Sequence, residues 1–160
     1  MTDALFKTGD FIFSYRIAGI CIQNGRILLQ RAAGQTAFNF PGGHVALGET
    51  NGQTLAREFR EETGAAIAVG DLKWVGEIFF PWEGRTWQQI CLYYQVDILD
   101  GHTPRDGVIP FKDRLDGRAF DLEFHWVPLQ DIPALTVYPS NAAQLLDKLD
   151  QEHNRKQQGC

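Results

Sequence analysis

One stretch, Gly43 to Ala65 (GHVALGETNGQTLAREFREETGA), constrains this chain more than any other. It opens on a glycine turn behind Pro41 and Gly42 and carries Glu49 in a loop. It closes on Glu58, Glu61 and Glu62 in a segment of helical pattern. Carboxylates brought this close repel one another, and one would have to keep its proton, unless positive charge sits among them. A divalent cation meets that need most simply. The helix also has readable ends. Thr50-Asn51-Gly52-Gln53 fits a capping box, with Thr50 as N-cap and Gln53 reaching back, and Gly64 suits the C-terminal stop.

Helical geometry sorts the side chains by face. Glu58, Glu61 and Glu62 fall within an arc of about 100°. Leu55, Ala56, Phe59 and Thr63 share the face expected to bury. Arg57 stands one turn before Glu61, close enough to pair with it. Glu49 can swing into the same space. Hard oxygen donors at this density suit Mg2+ or Mn2+ rather than zinc. The competing reading is a solvated acidic face with Arg57 and Arg60 as its partners, because charge runs on helices usually face water.

The rest of the sequence supplies the setting. Phe11 to Ile22 reads as one long strand or two joined ones, Asn24-Gly25 as a hairpin turn, and Arg26 to Arg31 as the returning strand. Ala32 to Ala37 reads as a loop and Phe38 to Phe40 as a short extended piece that Pro41-Gly42-Gly43 breaks. Asp71 to Phe80 and Thr86 to Leu99 read as strands around a turn at Pro81 to Gly84. Residues 1 to 9 look like a loose lead-in, and 100 to 117 like a polar, mobile loop. Phe120 to Val127 looks extended, and Leu129 to Ile132 like a short turn or helix. A last helix is expected over Pro139 to His153, with a frayed tail from Asn154. Strands dominate and two helices lie apart in sequence, so the expected class is α+β, a mixed sheet with helices packed on it.

At 160 residues the chain is expected to form one domain. Its net charge of -5 argues against a nucleic-acid polymer as partner, which would ask for a basic stripe. An anionic substrate remains compatible, since a bound metal reverses the local field. The cysteines, Cys21, Cys91 and Cys160, have no ligand-like spacing, and the first two lie in apolar runs as expected core thiols. With no signal-like N-terminus and no apolar run of about 20 residues, a soluble cytoplasmic protein away from membranes is the expectation.

The central stretch resembles the Nudix box, the motif of the Nudix hydrolases. That motif is Gly, five residues, Glu, seven residues, then Arg-Glu-U-x-Glu-Glu-x-Gly-U, where U is apolar. Gly43, Glu49, Arg57, Glu58, Phe59, Glu61, Glu62, Gly64 and Ala65 fill its positions. Phe59 fits its apolar position loosely, and Ala65 is smaller than the usual Ile, Leu or Val. FSYRIAGI, RILLQR, FNFPGGHVALGET and the EFHWVPL run look like the same family, so the resemblance spans about residues 11 to 150. The fold it implies is an α/β/α sandwich around a mixed β-sheet. The activity it implies is cleavage of a pyrophosphate in a nucleoside diphosphate linked to another moiety, with Mg2+ or Mn2+ and water.

Carried over by position, the resemblance makes Glu58, Glu61 and Glu62 metal ligands and catalytic groups, with the Gly43 carbonyl as a further ligand. Glu49 would assist through water or a second metal, and Arg57 would orient the glutamates. The box does not assign the general base; Glu123 is the candidate, with Asp121 behind it. Gly42 and Gly43 would let the backbone approach substrate or metal closely. Arg16 and Arg31 are candidate phosphate contacts. Phe13, Tyr15, Phe79, Phe80, Trp82 and Trp87 are candidate stacking faces, with Trp82 favoured because a turn should expose it. A proline about 16 residues past the box is associated with ADP-ribose pyrophosphatases, and Pro81 stands there. The implied substrate is ADP-ribose or a nucleotide sugar. The alternatives are a (d)NTP pyrophosphatase and a non-catalytic nucleotide-binding module. Homodimerisation is common in the resembling family.

Overall fold

The computed structural model describes residues 1–99, 101, 103–112 and 118–159. Eleven strands and two α-helices are placed among them. A five-stranded mixed sheet contains β1 (Leu5–Thr8), β2 (Phe11–Ile20), β6 (Gly42–His44), β7 (Ile67–Trp82) and β8 (Arg85–Ile98). Its path runs β1-β2-β8-β7, with β6 added on β2 and with β2 and β8 parallel. A six-stranded mixed sheet contains β3 (Ile22–Gln23), β4 (Arg26–Ala32), β5 (Phe38–Asn39), β9 (Gly107–Lys112), β10 (Ala119–Pro128) and β11 (Val137–Tyr138). Helix α1 spans Asn51–Thr63 and helix α2 spans Ala142–Gln158, after a 3-10 turn over Leu129–Ala134.

The α+β class is observed, with two mixed sheets where one was expected. The sheets lie between the helices. One core packs Leu55 and Phe59 of α1 on Ile17, Leu28, Val96 and Phe124. The other packs Ala142 and Leu146 of α2 on Ala18, Leu29, Tyr93 and Val127. Each core draws strands from both sheets, which gives the layered α/β/α arrangement.

Local chemistry explains most elements. Asn24 and Gly25 both take positive φ, 52° and 73°, as a two-residue hairpin requires. Thr50 accepts from the Gln53 N–H while Gln53 returns the bond to the Thr50 N–H, so the capping box is complete. Gly64 ends α1 in the left-handed conformation at φ 75°, its N–H bonded to the Arg60 carbonyl.

Five expectations are corrected. Residues 1–9 are not a loose lead-in, because β1 pairs with β2 and the Ala4 N–H and Thr2 carbonyl bond to Val45 and Leu47. The backbone does not leave the sheet at Gly42 and Gly43, since β6 adds to β2 there. The turn after β7 is only Glu83-Gly84, with φ of 55° and 72°, so Pro81 and Trp82 belong to the strand. Proline is tolerated because β7 is an edge strand, where a missing N–H need not cost a ladder bond. Helix α2 starts at Ala142 and continues to Gln158, past the expected fraying point. Strand β9 lies inside the stretch expected to be a loop; Asp100, His102 and residues 113–117 of that stretch, and Cys160, lie outside the described residues.

Cys21 and Cys91 are buried free thiols. Burial first, and then the charge of Asp97, pushes the Cys21 thiol up to about 12. No helix among the described residues is long and apolar enough to cross a membrane.

Candidate active site

The site is built where β6 meets α1. Gly42 and Gly43 pair with Ala18 and Ile17 on β2, which places both glycines against a core strand. Leu55 and Phe59 of α1 are fully buried beneath it, while Ala56 and Thr63 are only half-buried. Thr54 and Glu58 are buried as well, and Glu58 is just 7% exposed. An ionised carboxylate at that depth needs a partner.

Arg57 provides it. Its Nη1 donates to Glu58 Oε1 at 3.0 Å and to Glu61 Oε2 at 3.2 Å, the second being the i, i+4 pair expected from spacing. Its Nε reaches Glu49 Oε1 at 3.0 Å and its Nη2 reaches Glu49 Oε2 at 3.1 Å. Thr54 Oγ1 donates to the same Glu49 oxygen at 2.7 Å. One guanidinium therefore holds three carboxylates, and the fork geometry of arginine makes that possible. The hydrogen bond to Glu49 is the largest cause of the raised Arg57 pKa, and the nearby Glu58 charge adds to it.

Gly43 fits against this cluster by lacking a side chain. A Cβ there would stand 2.6 Å from Glu58 Cδ and 2.7 Å from its Oε1. Glu58 thus lies directly on the Gly43 backbone. The close neighbour of Gly42 is different: a Cβ would stand 2.0 Å from the Ile17 carbonyl oxygen, so this glycine admits the adjacent strand.

A cavity of about 650 Å³ opens beside the cluster, between the two sheets. Gly42, Gly43, Glu58, Glu62, Arg16, Pro81 and Trp82 line it. Glu49, Arg57 and Glu61 do not; they stand behind Glu58 and are tied to one another. Arg16 reaches the cavity with its Nη2 donating to the Phe40 carbonyl at 2.6 Å, which fixes the guanidinium. Trp82 is half-buried rather than exposed, and meets Phe120 edge to face with centroids 6.2 Å apart. Phe80 and Trp87 line the cavity and stack at 5.6 Å. Phe79 is 57% exposed on the outer face, Phe13 packs on Phe6, and the Tyr15 hydroxyl donates to Asn51, so these three are not among the cavity residues.

Arg31 and Glu123 are not brought to the cavity either. They are cross-strand partners, and Arg31 Nε donates to Glu123 Oε2 at 3.2 Å. Strand alternation decides their direction. Gln30, Ala32 and Leu122 point into the cavity, so Arg31 and Glu123 point to the opposite face, where Arg31 lies over the Phe38 ring. Asp121 shares that parity and its residue is exposed. Glu123→Gln is therefore expected to keep kcat/KM within about threefold of the parent, less than 1 kcal/mol of barrier. A loss beyond about a hundredfold with an unchanged melting temperature would return Glu123 to the chemistry.

The cavity also contains residues that sequence reasoning did not single out. Gln30, Asn39, His44, Phe111 and Phe120 line it. His44 stacks on Trp87 with centroids 6.0 Å apart. Strand parity carried a usable signal for Gln30, a polar residue inside the apolar run RILLQRA.

Among the described residues, no three His, Cys, Asp or Glu side chains stand grouped as a ready metal cage. The donor set still fits a hard divalent cation. Its groups are carboxylate oxygens, Glu58 and Glu62 face the cavity, and Gly43 leaves its backbone open beside Glu58.

Comparison with known proteins shows the family and the fold. A family model described as NUDIX domain matches residues 14–149. A protein named putative mutator protein MutT4, from Mycobacterium tuberculosis (strain CDC 1551 / Oshkosh), is 30% identical over 127 residues, covering 74% of this chain and 46% of that protein. The chain spans less than half the length of the curated relatives it matches. Among solved structures, the E. coli ORF135 protein is similar at TM-score 0.54 and 24% identity, covering 84% of this chain and 86% of that one. A UDP-X diphosphatase is similar at TM-score 0.58 and 16% identity, covering 88% of this chain and 64% of that one. The structural likenesses show the fold, and the family match over the box, strand β6 and both cores identifies the chain as a member of the Nudix family.

Proposed function

We propose that this chain is a Nudix pyrophosphohydrolase that cleaves the pyrophosphate linkage of a nucleoside diphosphate derivative, with ADP-ribose or a nucleotide sugar as its substrate. The observation that carries the reading is the Glu58 carboxylate seated on Gly43, braced by Arg57 and lining a cavity. Glu58, Glu61 and Glu62, with the Gly43 carbonyl, would hold Mg2+ or Mn2+, and Glu49 would support them. When bound, the metal neutralises pyrophosphate charge and lowers the pKa of a water. The chain's own residues do the positioning. Arg57 orients the glutamates, Arg16 offers a fixed positive charge in the cavity, and Phe80 and Trp87 supply stacking faces. Water attacks phosphorus, the P–O–P bond breaks, and the two products leave as phosphate monoesters. Pro81 lining the cavity supports the ADP-ribose or nucleotide-sugar assignment.

A panel assay tests the assignment. Nucleotide sugars should yield two phosphate monoesters, with inorganic phosphate appearing only after phosphatase treatment. Pyrophosphate released from (d)NTPs at higher kcat/KM would favour the housecleaning alternative. Binding without turnover across the panel would favour a regulatory module.

Arg57→Gln probes the brace. It removes the partner of Glu49, Glu58 and Glu61, so the expected cost is about 1–3 kcal/mol of stability and a 10- to 100-fold loss of Mn2+ affinity. Thermal melting and calorimetric titration read the two effects separately. Unchanged Mn2+ affinity would remove Arg57 from the site.

The proposed macromolecular partner is a second copy of this chain. Phe6, Phe11, Phe79 and Val75 are each more than half exposed on one face of the five-stranded sheet. The registers join Phe79 through Gln88 and Phe13 to Phe6 in one row across four strands. Three half-exposed phenylalanines present roughly 300 Å² of apolar surface, enough to mark an interface. Sedimentation velocity should show a dimer that Phe79→Glu disperses; a monomer at all concentrations would refute it. The buried free thiols suit a cytoplasmic compartment.

A further inference from the structure

The loop that carries Glu49 is held by a segment outside the box and outside the stretch that matches the family. At Tyr15 the edge of β2 changes partner, from β1 to β6. Ala4 stands at that fork. Its carbonyl accepts from the Tyr15 N–H at 2.9 Å, and its own N–H donates to the Val45 carbonyl at 2.8 Å. The Val45 N–H donates in turn to the Tyr15 carbonyl at 2.9 Å, so three backbones close one ring of hydrogen bonds. Further along, the Leu47 N–H donates to the Thr2 carbonyl at 2.8 Å, and the two bonds frame Asp3 opposite Ala46. Residues 2–4 are thus a short strand added along residues 45–47.

From Ala46 the contacts run on to the carboxylates. Ala46 is fully buried. Its N–H donates to Thr54 Oγ1 on α1 at 3.4 Å, and its carbonyl accepts from the Glu49 N–H at 3.0 Å. The Glu49 side chain is tied to Thr54 and Arg57, and Arg57 joins it to Glu58 and Glu61. Gly48 lies between Ala46 and Glu49 at φ 91°, a conformation that glycine adopts freely and leaves freely, so the partners of the loop must hold it. Without residues 2–4, the Val45 carbonyl and the Leu47 N–H would turn to water and the outer side of the loop would have no support. Met1, Thr2 and Asp3 also line the cavity, so the same segment forms part of its wall.

We propose that residues 2–4 position the box loop: the added strand fixes Ala46, and Ala46 fixes Glu49 behind the metal ligands. Ala4 is the positioning residue, and it acts through its backbone N–H. Groups that support metal ligands from behind are worth about 10- to 100-fold in affinity or activity. A misplacement of about 1 Å in such a support is enough for a loss of about a hundredfold in rate. The effect on metal rests on the pyrophosphohydrolase reading; the hold on Glu49 does not.

The test uses the full chain and substitutions aimed at backbone N–H groups. Ala4→Pro removes the donor to Val45, and Ala4→Gly keeps it. Thr8→Pro is the matched control. Ladder alternation from the Ala4 carbonyl makes Thr8 and Phe11 a hydrogen-bonded pair, so this proline also costs one backbone bond, at the far end of β1. Amide hydrogen exchange of the metal-free protein reads the Glu49 N–H, which lies two hydrogen bonds from Ala4. Ala4→Pro should speed its exchange about tenfold or more, and Ala4→Gly and Thr8→Pro by no more than about threefold. Mn2+ affinity, read by spin resonance of the free ion, should fall about tenfold in Ala4→Pro alone. Its kcat should fall while KM changes by less than about threefold. Leu47→Pro removes the second bond and repeats the measurement if Ala4→Pro does not fold. Unchanged Glu49 exchange in the folded variant, or an equal rise in Thr8→Pro, would overturn the proposal. A parent protein that binds no Mn2+ would overturn the metal reading alone, and the Glu49 amide would still decide the positioning.

Discussion

Glu62→Gln is expected to lower metal-dependent kcat by about 10²- to 10³-fold while the melting temperature moves by only a few degrees. Glu62 lies on α1, half-buried, and lines the cavity beside Glu58 and Gly43. The substitution keeps the shape and removes the charge. Its packing cost is small because Arg57 still pins Glu49, Glu58 and Glu61. The catalytic cost is large because a hard cation prefers an anionic oxygen to an amide oxygen, and each 1.36 kcal/mol of barrier is about tenfold in rate. Steady-state kinetics across a Mn2+ titration checks both halves. Full turnover by a folded Glu62→Gln protein would place the chemistry elsewhere.

The second large effect separates two adjacent glycines. Gly42→Ala should cost more than about 3 kcal/mol, lowering the melting temperature by roughly 6–12 °C or blocking soluble expression. Its Cβ would meet the Ile17 carbonyl oxygen at 2.0 Å and Ala18 Cα at 2.8 Å, and backbone in a paired strand cannot step aside. Gly43→Ala should do the reverse. Its Cβ would meet the far end of Glu58, and a free carboxylate would swing away at little cost. This one is buried and held by Arg57, so displacement misplaces a proposed ligand. The expected result is a shift of a few degrees in melting temperature with a 10- to 100-fold loss of activity. Equal melting losses for the two variants would show that both glycines serve packing alone.

The box was legible because its determinants are local. Thr50, Gln53 and Gly64 announce a helix through capping chemistry within a few residues, and the Arg57–Glu61 pair follows from one helical turn. The errors arose where tertiary context decides. Pro81 reads as a turn in isolation, yet the edge position of β7 keeps it in a strand, and the real turn falls on Glu83 and Gly84. Arg31 and Glu123 read as isolated functional charges, yet the register between β4 and β10 sets them side by side. Asn39 was passed over because only packing places it on the cavity wall. Of the three box glutamates, Glu58 and Glu62 line the cavity, while Glu61 pairs with Arg57.

Metal-dependent cleavage at this cluster is the central consequence of the proposed function. The most direct measurement follows nucleoside monophosphate released from ADP-ribose and nucleotide sugars, with and without EDTA, and after adding back Mg2+ or Mn2+. The expected result is turnover that EDTA abolishes, that either metal restores, and that Glu62→Gln does not recover. Turnover indifferent to EDTA, or equal in Glu62→Gln, would contradict it.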